Sequence, residues 1–249
     1  MEGTKERNRE TLKMEQVFHY CPGCGHGIVT RLISEVIDEF EIRERAISVV
    51  GIGCGGFSHH YMDIDAIEAL HGRSPAVATG YKIARPENII FTYQGDGDLA
   101  AIGLAEVIHA ANSGIPITVI MINNTVFGMT GGQMSYTTLL GQPTTTTPRG
   151  RDKLFHGFPL RVPEMMKEME GVAYLARNSV ADPKGVLSTK RSIRSAFECQ
   201  INNLGFSFVE VLTPCPTGLK LRPVEASIWV KEKLKTNFPV RVFKNMLED

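Results

Sequence analysis

The chain has 249 residues, of which 43% are hydrophobic, and 27 Lys+Arg balance 27 Asp+Glu. That length can bury one sizeable core, and the even charge leaves no basic excess for nucleic acid. No apolar run approaches the length of a membrane span and the first fifteen residues are charged rather than apolar, so no membrane contact and a cytoplasmic location are expected.

In chain order, residues 1–17 read as a polar N-terminal arm, 18–216 as an α/β domain, and 217–249 as a tail with an amphipathic helix over about 224–234. After Cys21-Pro22-Gly23-Cys24, residues 27–40 carry Ile28, Leu32, Ile33, Val36, Ile37 and Phe40 at helical spacing. Residues 46–50 read as a strand ending at Gly51-Ile52-Gly53-Cys54. Residues 66–70 and 75–84 read as short helices around the polar corner His71-Gly72-Arg73. Residues 89–94 form a β-rich run, 99–112 a helix, and 117–122 a second apolar strand. Residues 141–158, rich in Thr, Pro and Gly, read as a long loop, and loops of that length are more often functional than idle. A strand at 173–176, a helix at 184–203 and a strand at 206–212 follow. Alternation of strand and helix throughout implies a doubly wound, mostly parallel sheet with ligands at the carboxyl edge of its strands.

Gly95-Asp96-Gly97-Asp98 stands where a strand hands over to a helix. Free N–H groups and the positive end of the helix dipole attract anions there, and a carboxylate beside a bound phosphate requires a hard divalent cation between them. The second strand delivers Asn123 and Asn124 to the same edge, so Asp96 and Asn124 can share one Mg²⁺. Taken alone, GDGD is also consistent with a tight turn that ends in a helix-capping acid. GDG followed after a helix and a strand by NN resembles the thiamine diphosphate (TPP) motif. That resemblance implies a TPP diphosphate-binding α/β fold and makes the Asp96 carboxylate, the Asn124 side chain and the Val126 carbonyl the Mg²⁺ ligands.

Five cysteines are present. Cys21 and Cys24 precede a helix, Cys54 follows one strand and Cys215 follows another, so separate loops bring four thiols to one rim. That suits a 4Fe-4S cluster or a Cys₄ zinc site, and the spacing does not choose between them. A thioredoxin-like pair at Cys21 and Cys24 would leave Cys54 and Cys215 unexplained. Cys199, on a helical run, reads as a buried apolar thiol.

CPGCGHG, GIGC, HGR, GDGD, NN with GMTGGQ, and PCPT, in this order, resemble the β subunit of the 2-oxoacid:ferredoxin oxidoreductases. The resemblance implies CoA-dependent oxidative decarboxylation of a 2-oxo acid, of the 2-oxoglutarate or branched-chain type, with electrons leaving through a 4Fe-4S cluster to ferredoxin. By matching position, the cluster ligands are Cys21, Cys24, Cys54 and Cys215. The cofactor contacts are Ile52, Gly53, Cys54, Gly72, Gly95, Asp96, Gly97, Asp98, Asn123, Asn124, Val126, Phe127, Gly128, Met129 and Thr130. A pyrimidine-binding α subunit is implied as partner, with γ and ferredoxin-like δ subunits as further candidates, because the glutamate that activates TPP comes from another chain in this architecture. The other reading is a non-redox TPP-dependent decarboxylase or synthase with structural zinc.

His71, Arg73 and Thr130 are the catalytic candidates. His71 and Arg73 could meet a substrate carboxylate or the diphosphate, or bond to backbone in a sharp corner. His19 and His26, beside the paired cysteines, are expected to cover a cluster or cap a helix. Asp98 sits where the helix dipole favours an acid whatever the function. Arg149 or Arg151 in the long loop could recognise a distal carboxylate, which would favour 2-oxoglutarate.

Overall fold

Strands buried on both faces need apolar side chains at nearly every position, and five segments of this chain meet that demand. The computed structural model describes residues 11–13 and 15–248. In it β1 (Ala46–Val50), β3 (Ile89–Gly95), β4 (Thr118–Asn123), β7 (Val172–Ser179) and β8 (Phe206–Leu212) lie side by side, with β2 (Asp65–Glu68) and β9 (Arg241–Asn245) at the edges; β5 (Val126–Phe127) and β6 (Gln133–Met134) pair separately, ahead of the short α4 (Lys153–His156). The strand order is β2-β1-β3-β4-β8-β7-β9, parallel throughout except for β9. Among the described residues no helix is long and apolar enough to cross a membrane.

Alternate residues of each strand serve opposite layers. Phe91, Tyr93, Ile120 and Val209 pack with Val29, Leu32 and Ile33 of α1 (Gly25–Glu39) and with Ile193 and Phe197 of α6 (Pro183–Ile201). Val49, Ile90, Val119 and Phe208 pack instead with Ala78 of α2 (Ser74–Ala84) and Val107, Ala110 and Ala111 of α3 (Leu104–Ser113). Each such side chain taken fully from water contributes about 1.5–3 kcal/mol. β1 steps outward to β2 and the chain then returns to lay β3 on the other side of β1, so the strand order reverses between β1 and β3. A crevice opens beyond strand ends at such a reversal.

Three local expectations differ from the structure. Residues 66–70 do not form a helix: Asp65–Glu68 adds to the edge of β1, with Ser48 opposite Ala66 and Val50 opposite Glu68. So short a segment does not nucleate a helix alone, whereas the open edge of β1 supplies ladder partners at once. Of the expected polar arm, residues 1–10 and 14 lie outside the described residues. Residues 11–13 are held, with Thr11 N–H donating to Asp38 Oδ1 at 3.1 Å, Leu12 bridged to Met62, and Lys13 N–H donating to the Tyr61 carbonyl at 2.9 Å. The tail buries Ala226, Val230, Leu234 and Phe238, one per helical turn, the last three packing with Leu139 and Leu212, and then forms β9, which its short charged sequence had concealed.

One polar network is built into the sheet. Arg177 of β7 stands directly across from Glu210 of β8, and its Nε donates to Glu210 Oε2 at 2.5 Å. Glu210 Oε1 accepts from Asn123 Nδ2 of β4 at 2.6 Å, and the other face of the guanidinium meets Glu164 of α5 (Val162–Met166) at 2.6 and 2.8 Å. Burial pushes the Glu210 carboxyl up, the guanidinium opposes this, and both residues are fully buried. Truncating Arg177 strands that carboxylate, so Arg177→Ala is expected to cost about 3–5 kcal/mol in a denaturant titration. A loss below about 1 kcal/mol would mean that the sheet does not depend on the pair.

Candidate functional site

The ends of β1, β3 and β4 open onto a cleft of about 140 Å³. Ile52, Gly53 and Cys54 reach it from β1, Gly95, Asp96, Gly97 and Asp98 from β3, and Asn124, Val126, Phe127, Gly128, Met129 and Thr130 from the segment after β4. His26 and His71 complete its lining. Gly97 is required where it stands, because a Cβ there would lie 2.5 Å from the Phe127 ring. The helix expected over 99–112 begins instead as a widened π turn, Gly97–Ile102, and restarts as α3 after Gly103. Gly103 backs onto Gly72, whose φ is +80° and whose Cβ, if present, would lie 2.7 Å from the Gly103 nitrogen. That close approach of two glycines brings the His71 corner onto the start of the helix.

Asp96 is 1% exposed. Its Oδ2 accepts a hydrogen bond from the Thr137 hydroxyl, while Oδ1 is buried and has no hydrogen-bond partner. Burial pushes its carboxyl up to about 6, and the Thr137 and Ser135 hydroxyls, the Asn124 N–H and its own N–H oppose the shift. Asn124 Oδ1 accepts from the Val126 N–H at 3.2 Å and keeps a second lone pair. Thr125 between them takes a left-handed φ of 68°, and its N–H donates to Asn123 Oδ1 at 3.2 Å. An orphaned carboxylate oxygen, an amide oxygen and a neighbouring carbonyl form an all-oxygen donor set of the kind a hard divalent cation takes.

Asp98 is fully engaged within the protein. Oδ1 accepts from His71 Nδ1 and from the Gly72 N–H at 2.7 Å, and Oδ2 accepts from Gln94 Nε2 at 2.6 Å. This clamp fixes the His71 ring and leaves Nε2 as its free nitrogen in the cleft.

The four rim thiols share one neighbourhood. Burial pushes Cys24 up to about 12, and Cys215, Cys54 and Cys21 add to the shift. Cys215 rises to about 11, again mainly through burial, with Cys54 and Cys21 contributing. The Cys215 sulfur accepts from the Gly218 N–H and that of Cys24 from the His26 N–H. Among the described residues, no three His, Cys, Asp or Glu side chains are grouped as a site for one metal ion. Cys199 is fully buried in the core layer of α1 and α6, as an apolar thiol should be.

Residues 51–211 match the family described as thiamine pyrophosphate enzyme, C-terminal TPP binding domain. The chain is 46% identical over 227 residues to ketoisovalerate oxidoreductase subunit VorA of Methanothermobacter marburgensis, covering 91% of this chain and 48% of the relative. It is 39% identical over 228 residues to 2-oxoglutarate synthase subunit KorB of Methanocaldococcus jannaschii, covering 89% of this chain and 80% of that one. The chain belongs to the 2-oxoacid:ferredoxin oxidoreductase subunits. A solved 2-oxoglutarate:ferredoxin oxidoreductase from Magnetococcus marinus, with 2-oxoglutarate, coenzyme A and succinyl-CoA bound, superposes with a TM-score of 0.76 at 29% identity, over 87% of this chain and 70% of that one. The chain spans about half the length of the VorA relatives it matches.

Within this chain the TPP-domain match contains Asp96, Asn124 and Cys54, whereas Cys21, Cys24 and Cys215 lie outside it. Four of the sequence expectations are redirected by tertiary contacts. Arg73 turns from the cleft to pair with Glu106 of α3. Asn123 faces the core and Glu210, because successive strand residues point to opposite sides. Gly72 gives its N–H to Asp98 and does not line the cleft. Arg151 is 3% exposed and spends its donors on backbone carbonyls, so it is not offered to a carboxylate, and Arg149 is exposed.

Two residues of the site were not singled out for it. Thr137 lies in a hydroxyl-rich run whose partner is 41 positions away, and no local pattern marks it. His26 lines the cleft, with Nδ1 2.9 Å from the Tyr93 hydroxyl and its ring stacked on Tyr20. Burial lowers it to about 4, so it is neutral at pH 7.

For Asp96 the raised value means that the native state favours the protonated form, so deprotonation costs stability as pH rises from about 4 past 6. In metal-chelated protein that cost reaches about 3 kcal/mol. Asp96→Asn lacks the ionisation, so its thermal midpoint is expected to exceed wild type at pH 7.5, with the gap closing toward pH 5. An equal gap at both values would show that Asp96 does not titrate in this window.

Proposed function

We propose that this subunit holds TPP through Mg²⁺ and a 4Fe-4S cluster, and acts in the cytoplasm as the TPP-binding part of a 2-oxoacid:ferredoxin oxidoreductase. The reaction is the CoA-dependent oxidative decarboxylation of a 2-oxo acid to acyl-CoA and CO₂, with ferredoxin taking the electrons. The observation that carries this reading is the buried Asp96 Oδ1 without a hydrogen-bond partner, set beside Asn124 at the end of the cleft. An unpaired carboxylate in such a place is costly unless a cation meets it.

TPP supplies the carbanion chemistry of decarboxylation and the cluster supplies one-electron steps. Asp96, Asn124 and the Val126 carbonyl hold the Mg²⁺ that anchors the diphosphate. Gly97 admits the Phe127 ring, and Ile52, Phe127 and Met129 give the cleft an apolar wall that excludes water from the reacting end. His71, with Nδ1 fixed by Asp98, presents Nε2 to a substrate oxygen, and Thr130 lines the same cleft with its hydroxyl donating to Gln133 Oε1 at 2.6 Å. Cys21, Cys24, Cys54 and Cys215 hold the cluster. Thiols close enough to influence one another electrostatically suit one shared centre, and a 4Fe-4S cluster gives the electrons their exit.

No glutamate lines the cleft among the described residues, so the group that activates TPP is assigned to a partner subunit carrying the pyrimidine-binding domain. The chain alone is then inactive. The apolar wall, the commitment of Arg151 to backbone and the identity with the ketoisovalerate subunit favour a branched-chain 2-oxo acid. The second reading is 2-oxoglutarate, favoured by the KorB relative. Faster turnover of 2-oxoisovalerate than of 2-oxoglutarate by the assembled complex would support the first, and the reverse order the second.

This subunit, purified anaerobically, is expected to contain about four irons and four acid-labile sulfides per chain, with one TPP. Cys215→Ser is expected to lose the iron and sulfide while retaining TPP, and Asp96→Asn to lose TPP while retaining iron. Zinc without sulfide in the wild type would overturn the redox assignment and leave a non-redox TPP-dependent decarboxylase or synthase.

A further inference from the structure

The loop over residues 135–158 is organised by a single buried cation. Arg151 is 3% exposed and, among the described residues, forms no ion pair. Its Nη1 donates to the carbonyls of Tyr136 at 2.8 Å and Thr138 at 2.7 Å, its Nη2 to those of His156 at 2.9 Å and Phe158 at 2.8 Å, and its Nε to Gly157 at 3.1 Å. A guanidinium is always charged and presents its donors in a rigid fork, so it holds these carbonyls in a fixed mutual geometry.

Two of those carbonyls flank Thr137, and the Thr137 hydroxyl donates to Asp96 Oδ2. The next residue along, Thr138, donates its hydroxyl to the Thr125 carbonyl, and Gln142 Nε2 donates to the Thr125 hydroxyl at 2.8 Å. The loop therefore grips both halves of the oxygen donor set, the carboxylate after β3 and the turn after β4. Because Oδ2 is occupied by Thr137, Asp96 has one oxygen left over, and that oxygen is the buried Oδ1. A carboxylate free to turn about its own axis would exchange its two oxygens, and the hydroxyl removes that freedom.

We propose that Arg151 is a positioning residue of the metal site: through the carbonyls on either side of Thr137 it fixes the hydroxyl that leaves Asp96 with a single oxygen for the cation. The inference rests on the reading of Asp96 as a Mg²⁺ ligand. It predicts coupling between two side chains that do not share a hydrogen bond, Arg151 and Thr137, expressed in metal affinity.

The test is a double-mutant cycle on the complex purified with its partner subunits, using Mn²⁺ as probe in the presence of saturating TPP. Bound Mn²⁺ is read by electron paramagnetic resonance, and iron and sulfide content are followed in parallel. Arg151→Met and Thr137→Val are each expected to raise the Mn²⁺ concentration for half-saturation about tenfold, and the double variant no more than about twofold beyond Thr137→Val alone. Thr137→Ser, which keeps the hydroxyl, restores wild-type affinity, and iron and sulfide stay unchanged throughout. Arg151→Lys replaces Arg151→Met in the cycle where the latter fails to fold. Multiplying effects, or an arginine variant within twofold of wild type, overturn the proposal. Wild-type complex that retains no Mn²⁺ with TPP overturns the reading of Asp96 itself, and this inference with it.

Discussion

A carboxylate buried with one oxygen unsatisfied is the constraint on which this structure turns. In Asp96 the Oδ2 atom is held by Thr137 and Oδ1 makes no hydrogen bond, while burial already resists ionisation. Such a group costs stability when ionised unless something compensates it, and the surrounding residues are consistent with a compensating cation. Asn124 offers an amide oxygen rather than a second carboxylate, and Asp98, two residues away, has both oxygens consumed by His71, Gly72 and Gln94. The negative charge available to a ligand is thereby confined to one residue, which matters where a diphosphate must also be accepted.

The fold brings these groups together by how its strands end. β1, β3 and β4 are neighbours, so the three loops that follow them open at one place, beside the reversal of strand order. The widened Gly97–Ile102 turn and the break at Gly103 then make room for the His71 corner, which a regular helix from residue 97 onward would have filled. That irregularity is a local departure from the best helical hydrogen bonding, retained at the point where the site is built.

How much of this was legible in the sequence depends on range. The strands and helices with long apolar periodicity were readable, as were the glycines and acids of the turn after β3, because their meaning is local. Residues 66–70 carry a helical pattern yet form an edge strand, because an edge strand is defined by its neighbour rather than by its own composition. β9 escaped for the same reason, since Arg241-Val242-Phe243-Lys244-Asn245 becomes a strand only where β7 leaves an edge free. The loop arginine is the plainest case. A charged residue in a polar loop reads as available, and only the folded chain shows Arg151 enclosed by carbonyls contributed from both ends of that loop.

Asn123 and Asn124 carry the same lesson into the site. They are chemically identical neighbours, and the alternation of a strand sends one into the core and the other to the cleft. Asn123 is tied through Glu210 to Arg177, a connection running across three adjacent strands, while its own Oδ1 supports the left-handed Thr125. The turn that carries Asn124 is therefore held from below by the sheet and from above by Thr138 and Gln142. A donor set held from both sides changes shape little when a ligand arrives, so little of the binding free energy is lost to ordering the protein. The buried ion pair of the sheet and the buried arginine of the loop act on the same few atoms from opposite directions.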